Sequence, residues 1–120
     1  MILADTSIWV NHFRRHCDEL ADLLEAGEVA CHPFVIGELA CGGIQNRPEI
    51  LSLLTALPSL TKAEDDELLG FIDRHSLMGC GLGLIDIHLL ASCKLDGTAL
   101  WTNDKKLHQA AEKLQLTADQ

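Results

Sequence analysis

Apolar residues occur in short blocks, and their spacing switches between the tight runs of buried strands and the three-and-four spacing of helices. The first block, Ile2-Leu3-Ala4, reads as a strand that stops at Asp5, after which Thr6 or Ser7 can cap a helix carrying Ile8, Trp9 and Phe13. From Asp18 to Ala26, Leu20, Leu23 and Leu24 share one face while Asp18, Asp22 and Glu25 share the other. That pattern predicts an amphipathic helix ended by Gly27. Glu28 to His32 reads as a second strand, Pro33 suits the first turn of the next helix, and Gly42-Gly43 ends that helix. Pro48 to Leu57 predicts another helix closed by Pro58, with Leu60 in a short edge strand. Thr61 with Glu64 forms a capping box for a helix through about His75. Gly79, Gly81 and Gly83 make a pliant loop before a helix from Leu84 to Leu95, closed by Asp96-Gly97. Thr98 to Thr102 has strand character and ends at Asn103-Asp104. Lys105 to Leu114 then forms a helix with Leu107, Ala111 and Leu114 facing inward.

Strands separated by helices predict an α/β fold with a parallel sheet covered on both faces, whose active edge lies at the carboxyl ends of the strands. Asp5 and Asp104 both fall at such ends. The 120 residues, 48% of them hydrophobic, suffice for one core, so residues 1–120 are expected to form a single domain without linker or repeat. The first residues lack a basic stretch and the apolar run ends at Asp5, which predicts neither a signal peptide nor a membrane span and a cytoplasmic protein. Five cysteines without a C-x-x-C pair argue against a disulfide framework or a structural zinc site, and read as small hydrophobes in a reducing compartment.

Most of the 18 acidic residues have an ordinary explanation. Asp18, Glu19, Asp22 and Glu25 share a polar helix face, and Glu64-Asp65-Asp66-Glu67 crowd a helix start, where the macrodipole favours them. Four others sit inside apolar sequence, where a carboxylate is costly to bury without a partner. Asp5 lies between Ile2-Leu3-Ala4 and Ile8-Trp9-Val10, and Asp104 follows Ala99-Leu100-Trp101. Glu38 has Phe34, Val35, Cys41 and Gly42 as helical neighbours, and Asp86 has Leu82, Gly83, Leu89 and Leu90. None is on an evident solvent face, and only Lys105 and Lys106 are near in sequence. Four such oxygen donors call for cations, with Mg2+ or Mn2+ favoured over zinc by their hardness.

These segments resemble a known family, the PIN-domain ribonucleases, and especially the toxins of VapBC-type toxin–antitoxin pairs. The resemblance rests on Ile2-Leu3-Ala4-Asp5-Thr6-Ser7, Ile36-Gly37-Glu38-Leu39, Leu84-Ile85-Asp86-Ile87-His88-Leu89-Leu90-Ala91 and Leu100-Trp101-Thr102-Asn103-Asp104, in that order over nearly the whole chain. It implies a three-layer α/β/α sandwich around a short parallel sheet, with Asp5, Glu38, Asp86 and Asp104 as the acidic quartet. It also implies hydrolysis of RNA phosphodiester bonds with Mg2+ or Mn2+ as cofactor. Asp5 and Asp86 are then expected as direct metal ligands, and Asp104 and Glu38 as completing or orienting the shell. Thr6, Ser7, Thr102 and Asn103 are expected as supporting residues. The implied partners are RNA, a cognate antitoxin and a second copy of the chain. Phe34, Ile50, Leu53 and Leu54 supply the apolar surface for self-association.

A net charge of −9 runs against this reading, since phosphate backbones are normally met by clustered Lys and Arg. Bound cations reverse the local sign, and Arg14 and Arg15 can meet phosphate. The glycines of Gly79-Cys80-Gly81-Leu82-Gly83 lack the spacing of a dinucleotide fingerprint, and no pair among the six histidines has a general-base Glu beside it as a zinc-binding helix would. Trp9 and Trp101 read as core aromatics. Two alternatives stay open. A phosphatase or receiver would use Asp5 as nucleophile, although the position two residues on is Ser7 rather than an acid. A non-catalytic module of the same fold would only bind a partner, and for it four embedded carboxylates have no purpose.

Overall fold

Three short parallel strands form the sheet: β1 (Ile2–Ala4), β2 (Val29–Ala30) and β3 (Ala99–Trp101), in the order β2-β1-β3. Ile2 pairs with Val29 on one side and Ala99 on the other, and Leu3 likewise with Ala30 and Leu100. Helices α1 (Thr6–Arg14) and α2 (Asp18–Glu25) connect β1 to β2. Four more, α3 (Pro33–Cys41), α4 (Arg47–Ala56), α5 (Asp65–Arg74) and α6 (Leu84–Asp96), carry the chain from β2 back past β1 to β3, and α7 (Lys105–Lys113) follows. The two crossovers travel in opposite directions along the sheet, and right-handed connections therefore lay helices on both faces. This is the expected α/β sandwich. The computed structural model describes residues 1–118; Asp119 and Gln120 of the expected 1–120 domain lie outside the described residues.

The core gathers Leu3, Leu20, Leu39, Leu89, Leu90, Leu100 and Leu107, all essentially without exposure. Every residue from Ile87 to Cys93 in α6 is buried, so this helix is covered on all sides rather than along one stripe. Its first turn, which holds Asp86, is thereby anchored from behind. No helix among the described residues is long and apolar enough to cross a membrane.

Several local expectations need correction. The cap of α1 is Asp5 itself, whose side chain accepts from the Ile8 N–H, so helix geometry begins at Thr6 and not after it. The cap of α5 is Glu64, reciprocated by Glu67, and Thr61 instead donates its backbone N–H to Asp96 outside the helix. Leu60 forms no strand. The segment makes one parallel bridge, Cys31 to Ser59, and Pro58 beside it has no N–H with which to extend the ladder. Cys31 and Cys93 are buried and their thiols are pushed up to about 11 and about 12 by desolvation, but Cys41 and Cys80 are exposed. Leu54 belongs to the core, whereas Leu53 is 64% exposed. Trp9 is buried and Trp101 half-buried.

His32 ties β2's end to α6 and makes the fold sensitive to acid. Its Nδ1 accepts from the Phe34 N–H at 3.0 Å, which leaves the proton on Nε2 to be donated to Ser92 Oγ, also at 3.0 Å. Burial first, then the charges of His88 and Lys62, lower its pKa to about 4. The fold thus holds the neutral ring, and this stability is present above the unfolded value near 6.5 and is lost as pH falls toward 4. The loss should reach on the order of 3 kcal/mol from this group. Urea unfolding at pH 7 and pH 4 is expected to show that His32→Gln, though less stable at pH 7, loses less on acidification than the parent; equal losses would contradict it.

Candidate active site

Asp5 ends β1 and starts α1, and its backbone N–H donates to the Trp101 carbonyl at 3.0 Å, which locks the ends of β1 and β3 together. Its Oδ1 accepts from Ser7 Oγ at 2.5 Å and from the Ile8 N–H at 3.3 Å, while Oδ2 accepts from the Thr102 hydroxyl. Those hydroxyls are held in turn by the chain leaving β3. Asn103 donates its backbone N–H to Ser7 Oγ and Asp104 donates its own to Thr102 Oγ1, each at 3.0 Å. Two relays therefore run from backbone through hydroxyl to carboxylate, and together they fix how Asp5 is turned. Asn103 enters through its backbone only in these contacts.

Asp104 mirrors Asp5 at the next strand end. It caps α7, with Oδ1 accepting from the Leu107 N–H at 2.9 Å. Asp86 is the third residue of α6 and reaches back to the Gly83 N–H at 3.4 Å. Glu38, midway along α3, accepts from Thr6 Oγ1 at 2.7 Å. The four carboxylates thus come from the caps of α1 and α7 and from within α3 and α6, around the carboxyl edge of the sheet. Of the supporting residues, Thr6 holds Glu38, and Ser7 and Thr102 hold Asp5.

Exposure differs from the sequence expectation. Asp5 alone is buried, Asp86 is half-buried, and Glu38 and Asp104 are exposed. Apolar neighbours in sequence pack inward, while these side chains face an open edge. Burial raises the pKa of Asp5, partly offset by its Ser7 and Thr102 hydrogen bonds. Burial also raises that of Asp86, and the negative charges of Asp104, Asp5 and Glu38 push it further. None of the ion pairs among the described residues involves these four acids.

A cation fits this donor set in chemistry: the ligating atoms are oxygens only, and the mutual repulsion on Asp86 is what a positive charge relieves. Among the described residues no three His, Cys, Asp or Glu side chains stand close enough to grip one ion together. Water would complete the shell, as is usual for Mg2+. Beside the acids, the Lys106 side chain lies over Gly81, whose φ is +83° and where a Cβ would come 2.9 Å from Nζ. A side chain there would displace Lys106, a cation in the first turn of α7.

Sequence reading did not identify the two relays, because Ser7 and Asn103 lie 96 residues apart and only the β1–β3 register joins them. The available signal was that both strands end in an Asp with a hydroxyl residue within two positions, Asp5 with Thr6 and Ser7, and Asp104 with Thr102.

A PIN-domain family model matches residues 2–113. Two relatives, both named Ribonuclease VapC32 and from the CDC 1551/Oshkosh and H37Rv strains of Mycobacterium tuberculosis, are each 46% identical over 111 residues, covering 92% of this chain and 90% of theirs. The crystal structure of PAE2754 from Pyrobaculum aerophilum aligns with a TM-score of 0.62 over 94% of this chain and 90% of that one, at 16% identity, a likeness of fold. Since the family match spans residues 2–113, and with them Asp5, Glu38, Asp86 and Asp104, and the mycobacterial relatives are 46% identical over 92% of this chain, the chain belongs to the PIN-domain family, where it is similar to the VapC32 ribonucleases.

Proposed function

We propose that this chain is a single-domain, Mg2+- or Mn2+-dependent endoribonuclease and the toxin of a toxin–antitoxin pair. The observation that carries the proposal is the gathering of Asp5, Glu38, Asp86 and Asp104 at one sheet edge, in none of the ion pairs among the described residues, with the pKa of Asp86 raised by burial and further by the charges of the other three. The two ribonuclease relatives supply the substrate class.

A bound divalent cation supplies Lewis-acid activation of water and neutralises charge on the phosphodiester. Asp5 and Asp86, the two acids with raised pKa, would hold it directly, and Glu38 and Asp104 would complete or orient its shell. Ser7 and Thr102 hold Asp5 correctly turned and, by donating, favour its charged form against the burial that disfavours it. Thr6 holds Glu38 through its hydroxyl, and Asn103 holds Ser7 through its backbone N–H.

Regulation follows from the charge. A Lys or Arg from a cognate antitoxin can pair with the acids, and this chain is proposed to meet that partner in the cytoplasm. Self-association through α3 and α4 is supported by Leu53 and by the half-exposed Phe34 and Ile50. Incubating the purified chain with total RNA is expected to give discrete fragments with Mg2+ or Mn2+ and none with EDTA. Fragments that persist in EDTA would remove the metal, and no cleavage under any ion would remove the enzyme.

A further inference from the structure

A cavity of about 790 Å³ opens beside the carboxylates, between α1 and the loop joining α3 to α4. Thr6 and Glu38 form the wall it shares with the acidic centre, Phe13 and Arg14 line it from α1, and Gln45 and Asn46 line it from the loop. We propose that this cavity is a nucleoside subsite that takes the base and sugar next to the scissile phosphodiester and reads that base. The inference rests on the ribonuclease reading above.

Its size falls in the range of small-ligand pockets. Phe13 is half-buried and not closed into the core, as a stacking surface for a single-stranded base must be. Arg14 is exposed and makes no ion pair among the described residues, although the chain holds 18 acidic residues. A cation left unpaired in a chain of net charge −9, next to an acidic wall, suits a phosphate arriving at that wall. The side-chain amides of Gln45 and Asn46 make no hydrogen bond among the described residues, and each offers both donors and an acceptor, the equipment that reads a base edge.

The loop wall is also preset. Asn46 holds a left-handed φ of 54°, and the Arg47 guanidinium donates from Nε at 3.2 Å and Nη2 at 3.0 Å to the Ala40 carbonyl. Arg47 thereby ties the start of α4 to the last turn of α3 and is a positioning residue. Val10, Leu39, Ile44 and Ile50 also line the cavity, but Arg14, Glu38, Gln45 and Asn46 interrupt them, whereas a partner's amphipathic helix would want a continuous apolar groove.

The test uses the full chain with Mn2+ and a pool of short single-stranded RNAs of randomised sequence, with cut sites read by sequencing the ends. The parent should prefer one base at a position flanking the cut. Gln45→Ala with Asn46→Gly removes both amides, and glycine accepts the φ of 54° without strain. That pair should flatten the preference about tenfold, the scale of one lost base contact. Phe13→Ala should raise KM about tenfold, and Phe13→Tyr should restore it. If Phe13→Ala fails to fold, the loop variant decides alone. A cut-site profile that the loop variant leaves unchanged overturns the subsite, and so does a variant whose only defect is lost capture of a partner protein. If the parent cuts nothing in the pool, the ribonuclease reading itself has failed.

Discussion

Asp5→Asn is expected to reduce RNA cleavage by at least about 10²–10³-fold, the scale of losing one preorganised charge-stabilising group. The fold should survive. Asparagine keeps the volume and one acceptor for Ser7 Oγ and the Ile8 N–H, but it turns an amide toward Thr102, so one buried hydrogen bond is disturbed at a cost of about 1 kcal/mol. Asp66→Asn, on the exposed first turn of α5, should leave cleavage unchanged within twofold. Kinetics on a defined RNA, with circular dichroism to check folding, measures both. Equal losses in the two variants would mean that the distinction between edge acids and surface acids is wrong.

Much of this is legible in the sequence, and the reason differs from residue to residue. Asp5 and Asp104 stood out because a strand that ends on a carboxylate and runs into a helix leaves few other conformations for the chain. Asp86 stands out because its helical neighbours three and four residues away, Leu82, Gly83, Leu89 and Leu90, carry no polar side chain. The sequence does not carry depth. Glu38 and Asp104 looked embedded among apolar neighbours yet are exposed, because a sequence window cannot show that the sheet stops where they begin. The Ser7–Asn103 and Thr102–Asp5 contacts depend on register across 96 and 97 residues. The capping error at Thr61 has a local cause: Glu64 and Glu67 offer the same reciprocal bonds three residues later, and that pair won.

Asp86→Asn should inactivate the enzyme and also make the metal-free protein more stable. Burial and three like charges raise the folded-state pKa of Asp86, so its ionised form is disfavoured by folding. With the folded pKa above the unfolded one, the penalty is absent at low pH and grows as pH rises past the unfolded value near 4. The neutral amide removes it at pH 7. Solvent screens a half-buried group, so the expected gain is a rise on the order of 2–5 °C in melting temperature in EDTA. Added Mg2+ should then stabilise the parent and not the variant. A variant that melts lower than the parent in EDTA would show that Asp86 is held by favourable contacts instead of being strained by its neighbours.

Calorimetric titration of Mn2+ into the purified chain at neutral pH addresses the four-carboxylate centre most directly, since it needs no substrate and no knowledge of the RNA target. Stoichiometric binding is expected in the parent and in Asp66→Asn, with affinity reduced at least about tenfold in Asp5→Asn and in Asp86→Asn. Absence of binding in the parent, or an equal loss in Asp66→Asn, would contradict a metal centre built from Asp5, Glu38, Asp86 and Asp104.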